Sequence, residues 1–174
     1  MNKDEVTESI VKDFLKPIYN YVFRLTGRED DSSDIVQETF LKAWKNLSKF
    51  KGQDFKPWLF KIARNTTKDH LRKRRNIHFS ELDSEEETFE ENIPDPEPLP
   101  DKFLENQEIK KTLEKGMEII RADYKEIIIL HDVEDFTFDE ISKLIDKPLN
   151  TVKSSYRRAL IELRKILENS LHQN

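Results

Sequence analysis

A proline-rich acidic stretch divides this chain and limits how it can fold. The stretch reads ELDSEEETFEENIPDPEPLPD from Glu81 to Asp101, with ten acidic residues, four prolines and no lysine or arginine. Each proline lacks a backbone N–H and disfavours helix at the residue before it, while the like charges repel one another. We therefore interpret residues 79–101 as a flexible linker between two small domains, residues 1–78 and 102–174.

Charge is segregated along the sequence, so the net charge conceals the local pattern. The chain carries a net charge of −5, but without the stretch from Glu81 to Asp101 the remainder carries +5. The chain has no cysteine, which excludes disulfides and cysteine-ligated zinc and fits a cytoplasmic protein. No apolar run approaches the roughly 20 residues that a membrane helix needs, so we expect no membrane insertion.

Apolar spacing predicts an all-α fold in both domains, with no sheet. In the N-terminal domain one stripe ends at Gly27, and its members are Ile10, Phe14, Ile18, Val22 and Leu25. The next stripe would form a core-facing helix capped by Ser33 or Asp34, and its members are Val36, Phe40, Ala43, Trp44 and Leu47. A third helix is predicted from about Pro57 to Arg75. In the C-terminal domain we predict helices near 102–120, 122–133, 137–145 and 149–169.

The third predicted helix combines a basic face with an apolar one. The segment FKPWLFKIARNTTKDHLRKRRN, residues 55–76, has eight lysines and arginines against one acid. At 100° per residue one stripe is wholly basic and comprises Lys61, Arg64, Lys68, Arg72 and Arg75. A different face holds Leu59, Ile62, Ala63 and Thr66, and Trp58 and Asn65 lie at the border. A solvated surface helix would explain any one of these cations, but five in register favour nucleic acid.

A second basic helix lies in the segment FTFDEISKLIDKPLNTVKSSYRRALIELRKIL. A short helix with Ile141, Leu144 and Ile145 inward is followed by a break at 146–148 and a longer helix, the pattern of a helix-turn-helix. The face opposite its apolar residues presents polar and basic side chains: Asn150, Thr151, Lys153, Ser154, Arg157 and Arg158. An ordinary helical hairpin with a solvated face would look similar, but two basic helices in one chain favour DNA binding.

These segments together resemble the extracytoplasmic-function sigma factors, small two-domain specificity subunits of bacterial RNA polymerase. The strings DIVQETFLKAW and WLFKIARN resemble the second conserved region of that family, and TFDEISKLIDKPLNTVKSSYRRALIELRKIL resembles the fourth. The resemblance implies that the chain binds core RNA polymerase and recognises the minus-ten and minus-thirty-five promoter elements. It also implies assistance in melting promoter DNA and, as a further partner, an anti-sigma factor.

The resemblance assigns expected roles to residues of the N-terminal domain. The residues expected to contact the polymerase clamp are Asp34, Gln37, Glu38 and Leu41. Glu38 could instead simply pair with Lys42, four residues later. The residues expected to contact the minus-ten element are Phe50, Trp58, Lys61, Arg64, Asn65, Lys68 and Arg72. Phe50 and Asn65 match positions that line the pocket for a flipped base, although Phe50 could equally be a core residue.

In the C-terminal domain the resemblance assigns minus-thirty-five recognition to Lys153, Ser154, Arg157 and Arg158, beside Asn150 and Thr151. Ser155 replaces an arginine that is usual in the family, which we interpret as a lost phosphate contact. Asp146 replaces a glycine common in the turn, and aspartate tolerates a left-handed conformation better than most residues.

Other interpretations of the same sequence are less favoured. A stand-alone helix-turn-helix regulator would bind DNA without polymerase, and a helical adaptor would bind only protein. The acidic linker could mimic RNA phosphates in the polymerase cleft or act only as a tether. An enzyme is the least favoured class, because the four histidines lack metal-ligand spacing and no nucleophile and base are visible. We therefore expect no metal and no cofactor.

Overall fold

The computed structural model describes residues 3–51, 54–75 and 107–171 of the chain. The polypeptide divides into two compact units, Met1–Glu87 and Thr88–Asn174. Within the described ranges all regular structure is helical and no strand occurs, as the sequence predicts. The predicted linker 79–101 and the predicted helix start near residue 102 lie outside the described residues.

Over residues 3–51 and 54–75 the N-terminal unit consists of three packed helices and one short turn. Its elements are α1 (Lys3–Thr26), α2 (Glu29–Asn46), a 3-10 turn (Leu47–Lys49) and α3 (Phe55–Arg75). Gly27 ends α1 with a φ of +68°, a conformation that glycine adopts without strain. Asp54 precedes α3 and accepts a hydrogen bond from the backbone N–H of Lys56 at 3.1 Å, so it caps the first turn.

The core of this unit lies where the three helices meet. Fully buried members are Ile18, Tyr21 and Val22 of α1, Ile35 of α2, and Leu59, Phe60 and Ala63 of α3. The rings of Tyr21 and Phe60 lie 5.2 Å apart between centroids, which joins α1 to α3. Buried Thr39 and Thr67 each donate a hydrogen bond to the carbonyl four residues earlier, so their hydroxyls cost little to bury.

Two predictions for α2 are wrong. The helix begins at Glu29 with Arg28 as its N-cap, so neither Ser33 nor Asp34 caps it. Acidic residues at 29–31 favour this earlier start, because negative charge near the helix N-terminus interacts well with its dipole. Trp44, predicted to lie in the core, is 44% exposed, whereas Val36 and Ala43 of the same predicted stripe are buried. The buried side of α2 also takes in Ser32, Ile35 and Thr39.

Over residues 107–171 the C-terminal unit contains four helices and one π-helical turn. Its elements are α4 (Gln107–Ile119), α5 (Ala122–Ile128), the π turn (Ile129–Val133), α6 (Phe138–Ile145) and α7 (Leu149–Leu171). Ile141, Leu144 and Ile145 of α6 are buried as predicted. One core cluster joins α4, α5 and α7 through Ile120, Tyr124, Ile128, Ala159, Leu163 and Leu167.

The turn between α6 and α7 has well-defined ends. Thr137 caps α6 in a capping box, in which its hydroxyl accepts from the N–H of Glu140 and the carboxylate of Glu140 accepts from the N–H of Thr137. Asp146 ends α6 in the left-handed region, with φ +57° and ψ +43°, as its sequence position predicts. The hydroxyl of Ser142 donates to the carbonyl of Lys147 at 2.7 Å and closes the turn.

Gly116 allows α4 to approach α7 closely. A Cβ atom there would lie 2.9 Å from Cδ1 of Leu163 and 3.4 Å from Cγ2 of Ile166. Gly116→Ala would gain about 1 kcal/mol of helix propensity, but crowding of a packed core costs about 1–3 kcal/mol. We expect a net loss of unfolding free energy of about 1 kcal/mol, measured by urea unfolding of the full chain.

A second background supplies the control for Gly116→Ala. Leu163→Val removes the Cδ1 atom that the new methyl would meet, so Gly116→Ala should be neutral or stabilising in that background. The same destabilisation in both backgrounds would show that the contact with Leu163 does not explain the glycine.

Candidate polymerase and DNA interfaces

The outer face of α2 is an exposed surface of mixed chemistry. Asp34, Gln37, Glu38 and Leu41 are all exposed on it, at the spacing that keeps residues on one side of a helix. Leu41 is 52% exposed, and Trp44 extends the same face by one turn. We call these five residues the α2 outer face. It offers two large apolar side chains next to a carboxylate pair and an amide.

Glu38 also forms the local ion pair that its spacing suggests. Its carboxylate lies 2.8 Å from Nζ of Lys42. The hydrogen bond with Lys42 lowers the pKa of Glu38, burial opposes this, and the charge of Lys42 adds to the lowering. Nζ of Lys42 in turn donates to the hydroxyl of Thr66 at 3.2 Å, which joins α2 to α3. Because Glu38 remains about half exposed, the pair leaves its carboxylate accessible to a partner.

The outward face of α3 carries most of the residues assigned to minus-ten DNA. Asn65 and Arg72 are exposed on it, and Lys61 and Lys68 are half-buried beside them. The opposite face is buried and includes Leu59, Phe60, Ala63, Thr66 and Thr67. We call Lys61, Asn65, Lys68 and Arg72 the α3 polar face.

Arg64 does not lie on the exposed stripe on which the spacing placed it. Only 6% of this residue is exposed. At 100° per residue Arg64 is closer to the buried Phe60 and Thr67 than to Asn65, so packing of the apolar face covers it. Its aliphatic stem can pack against the buried face, as the stems of long charged side chains often do. Arg64 also keeps an interaction with a neighbouring group.

Aromatic side chains gather at the start of α3. Phe50 lies 4.9 Å from Trp58 and 5.4 Å from Phe55 between ring centroids, and Phe55 lies 5.8 Å from Phe14 of α1. All four rings are half-buried. Phe50 therefore packs within an aromatic cluster while remaining only half-buried, and its role beside a flipped base stays a prediction. Phe50 directly follows the 3-10 turn, so the cluster holds the end of that turn against α3. Residues 52 and 53 lie outside the described ranges.

An ionic link anchors the far end of α3 to the start of α2. The carboxylate of Asp31 pairs with Arg74 and with Arg28, and it lies 3.4 Å from Nε2 of His70. Desolvation raises the pKa of Asp31, but the hydrogen bond with His70 and the charges of Arg74 and Arg28 outweigh it and lower the pKa overall. The carboxylate therefore stays ionised near neutral pH and holds the two helix ends together.

The polar side of α7 matches its predicted composition. Asn150 and Lys153 are exposed, and Thr151, Ser154, Arg157 and Arg158 are half-buried near them. Val152, Ser155 and Ala159 form the buried side. The interpretation of Ser155 as a lost phosphate contact is therefore not supported, because this position faces the core rather than the polar side.

The comparisons with known proteins agree with this geometry. Residues 10–77 match the family model for sigma-70 region 2, and residues 113–163 match that for sigma-70 region 4. The ECF RNA polymerase sigma-E factor of Salmonella typhimurium is 32% identical over 149 residues, which cover 81% of this chain and 74% of that protein. The chain belongs to the extracytoplasmic-function (ECF) sigma factors.

Two further relatives extend the comparison. The ECF sigma factor SigE of Mycolicibacterium smegmatis is 24% identical over 160 residues, and this chain spans 61% of its length. The sigma factor RpoE of Bartonella quintana, solved with the anti-sigma factor NepR, has a TM-score of 0.67 and 26% identity, covering 92% of this chain and 96% of that one. ECF sigma factors direct promoter-specific transcription, so a stand-alone regulator is not favoured.

Proposed function

We propose that this ECF sigma factor binds core RNA polymerase through the α2 outer face and recognises promoter DNA through α3 and α7. The observation that carries the proposal is a shared construction: each unit has one helix whose apolar side is buried and whose other side is polar and basic. Such a helix can present cations and amides to DNA at a fixed orientation.

For polymerase docking the α2 outer face has the make-up of a small protein interface. Leu41 and Trp44 would supply apolar area, and exposed aromatic residues often account for much of the binding energy of an interface. Asp34, Gln37 and Glu38 would supply polar complementarity around them. Trp44 thereby joins the residues that the sequence assigned to docking.

For the minus-ten element the α3 polar face supplies the accessible groups. Lys61, Lys68 and Arg72 would follow the phosphates of a melted strand, while the exposed amide of Asn65 would meet an extruded base. Phe50 and Trp58 would offer the accessible edge of the aromatic cluster beside that base. Arg64 would contribute by supporting the helix, because its burial leaves little of it for DNA.

For the minus-thirty-five element the first turns of α7 would enter the major groove. Lys153, Arg157 and Arg158 would contact guanine acceptors or phosphates. Asn150, Thr151 and Ser154 would provide shorter polar contacts beside them. The capping box and the left-handed Asp146 hold α6 at the angle from which α7 begins.

The remaining parts of the proposal concern partners, location and domain limits. The likeness to RpoE, solved with NepR, supports an anti-sigma partner for this chain. We place its action in the cytoplasm, with the polymerase and without catalysis. In the described residues no helix is long and apolar enough to cross a membrane. The family matches end at residue 77 and resume at residue 113, which supports domains 1–78 and 102–174 with residues 79–101 as linker.

Polymerase docking gives the first test. Glu38→Lys should weaken assembly with core polymerase, and Trp44→Ala should cost about 2 kcal/mol of binding free energy as a truncated apolar anchor. Run-off transcription from a genomic library should need both core polymerase and this chain, and transcript yield should fall with each variant. Circular dichroism should show unchanged helicity, because the Glu38 pair is worth only a few tenths of a kcal/mol.

Matched substitutions on α1 control for general effects of changing a surface charge or removing an exposed aromatic side chain in the docking test. Glu8→Lys makes the same charge change and Phe23→Ala removes another exposed aromatic ring, and both should assemble normally. Normal assembly of folded Glu38→Lys and Trp44→Ala would show that the α2 outer face is not the docking surface. Promoter-specific binding by the free chain, without polymerase-dependent transcripts, would favour the regulator.

Promoter opening gives the second test, and Asn65 is its best residue. Asn65→Ala should reduce permanganate reactivity of promoter thymines severalfold on a closed duplex, while leaving initial duplex binding nearly unchanged, because the flipped base exists only after melting. The exposed helical Asn169 offers the control Asn169→Ala. Phe50→Ala and Trp58→Ala are poorer tests, because each also removes packing within the aromatic cluster.

A pre-melted template separates the steps of opening. Asn65→Ala that fails on both the closed duplex and the pre-melted bubble would indicate a defect in capture of the single strand. Normal opening of the closed duplex by Asn65→Ala would rule out base contact by this residue and leave the α3 polar face with phosphate contacts alone.

Recognition by α7 gives the third test. Lys153→Ala should weaken binding of a minus-thirty-five element by about 1–3 kcal/mol. A phosphate contact would also lower the slope of log affinity against log salt by about 1, whereas a base contact would relax preference at one position. Lys165→Ala, an exposed lysine three turns further along α7, is the control. Equal effects of Lys153→Ala and Lys165→Ala would contradict entry of the first turns into the groove.

A further inference from the structure

A cluster of three rings and one carboxylate ties α7 to the rest of its unit. The ring of His131 stacks on Phe138 at 4.2 Å and meets Tyr156 edge-on at 4.9 Å, while Phe138 and Tyr156 lie 5.1 Å apart. The hydroxyl of Tyr156 and Oδ1 of Asp132 lie 2.8 Å apart. We call His131, Asp132, Phe138 and Tyr156 the α7 latch.

The π turn places two members of the latch. Its wider winding is closed by the bond from the N–H of Glu134 to the carbonyl of Ile129 at 3.0 Å. Ile129 and Leu130 are fully buried, so the turn is fixed in the core, while His131 and Asp132 point away from it toward α6 and α7. Nδ1 of His131 lies 2.8 Å from the carbonyl oxygen of Phe136, which fixes the orientation of the ring.

Tyr156 is attached to the unit at both ends of its side chain. Its ring packs against the core cluster of α4, α5 and α7, and its hydroxyl reaches Asp132, 24 residues earlier in the sequence. Tyr156 lies one turn after Lys153 and directly before Arg157. Because apolar contact alone is non-directional, the hydroxyl bond adds a restraint on the rotation of α7 that packing does not supply.

We propose that Tyr156 is a positioning residue for promoter recognition: its bond to Asp132 fixes the rotation of α7 and so the direction in which Lys153 and Arg157 point. This inference rests on the proposed minus-thirty-five role of α7. It assigns a recognition function to Tyr156 and Asp132, to which the sequence assigned no DNA contact. Small rotations matter because base contacts require both distance and angle.

The chemistry of Tyr156 and Asp132 determines which of them donates the hydrogen bond. Burial, together with the bond to Asp132 and its charge, raises the pKa of Tyr156 well above its ordinary value, so the phenol keeps its proton and donates. Packing around the carboxyl raises the pKa of Asp132, and the hydrogen bond from Tyr156 and the charge of His131 partly oppose this. The hydrogen bond is solvent-exposed, so its loss should affect unfolding less than it affects the direction of α7.

The experiment uses the full chain in complex with core polymerase and a promoter found by run-off transcription. Tyr156→Phe keeps the ring and removes the hydroxyl, and Asp132→Ala removes the acceptor. Both should lower affinity for the promoter about tenfold while changing affinity for scrambled duplex little. Asp132→Asn keeps an acceptor oxygen and should retain near-normal affinity. The double variant should be no weaker than either single one.

Controls distinguish a positioning role from a purely structural one. Tyr19→Phe, on a half-buried tyrosine of α1, should have no effect on promoter affinity. Thermal unfolding of Tyr156→Phe should remain close to that of the parent. Equal losses on promoter and scrambled duplex, or a fall in affinity that only follows a lower melting temperature, would overturn the inference.

Failure of the proposed function has a different signature. Parent complexes that select no promoter, or that are insensitive to Lys153→Ala, would overturn the recognition role of α7 and this inference with it. Parent complexes that respond to Lys153→Ala but not to Tyr156→Phe would overturn the positioning role alone.

Discussion

Burial of one apolar side of each helix is the interaction on which both units depend. The chain is 37% charged and 36% hydrophobic, so few apolar side chains are available to build two cores. In the N-terminal unit Ile18, Ile35 and Phe60 are fully covered, each from a different helix. Because a helix has two sides and the core needs only one, the other side of each helix can carry charge at no cost to packing.

The same burial decides which polar residues remain accessible to partners. On α3 the core takes a wide face that reaches as far as Arg64, and Asn65, one residue later, is exposed. On α2 the core takes the row through Ile35 and Thr39, which turns Trp44 outward beside Leu41. A rotation of either helix by one residue would exchange these roles, so the composition of the two interfaces is a consequence of core packing.

Sequence periodicity predicted the order of the helices in the described ranges, because Gly27, Pro57 and the break at 146–148 mark helix ends by local chemistry. It failed where two neighbouring rows were both plausible. On α2 the buried side includes Ser32 and Thr39, whose hydroxyls donate to the carbonyls of Arg28 and Ile35, so part of that side looks polar in the sequence. A choice between such rows depends on the neighbouring helices, which a single-helix pattern does not contain.

Long-range polar contacts were also beyond the sequence. The ion pair of Asp31 with Arg74 joins residues about forty positions apart. The Tyr156–Asp132 hydrogen bond depends on a π turn, which helical periodicity does not predict. Helical spacing alone places Tyr156 among the apolar residues of α7 and indicates no partner for its hydroxyl. Its hydroxyl gains a partner because the π turn carries Asp132 to the place where the ring of Tyr156 emerges from the core.

The two units solve a common geometrical problem in similar ways. Apolar contacts set the distance between helices but constrain rotation weakly, since sliding or turning a smooth apolar face changes buried area little. Hydrogen bonds and ion pairs are directional and fix that remaining freedom. In the N-terminal unit Lys42–Thr66 and Asp31–Arg74 fix α3 against α2 at two separated points, and in the C-terminal unit Tyr156–Asp132 does so for α7. Each helix proposed to face DNA is thus packed by apolar contacts and oriented by polar ones, so residues on its packed side would also influence recognition.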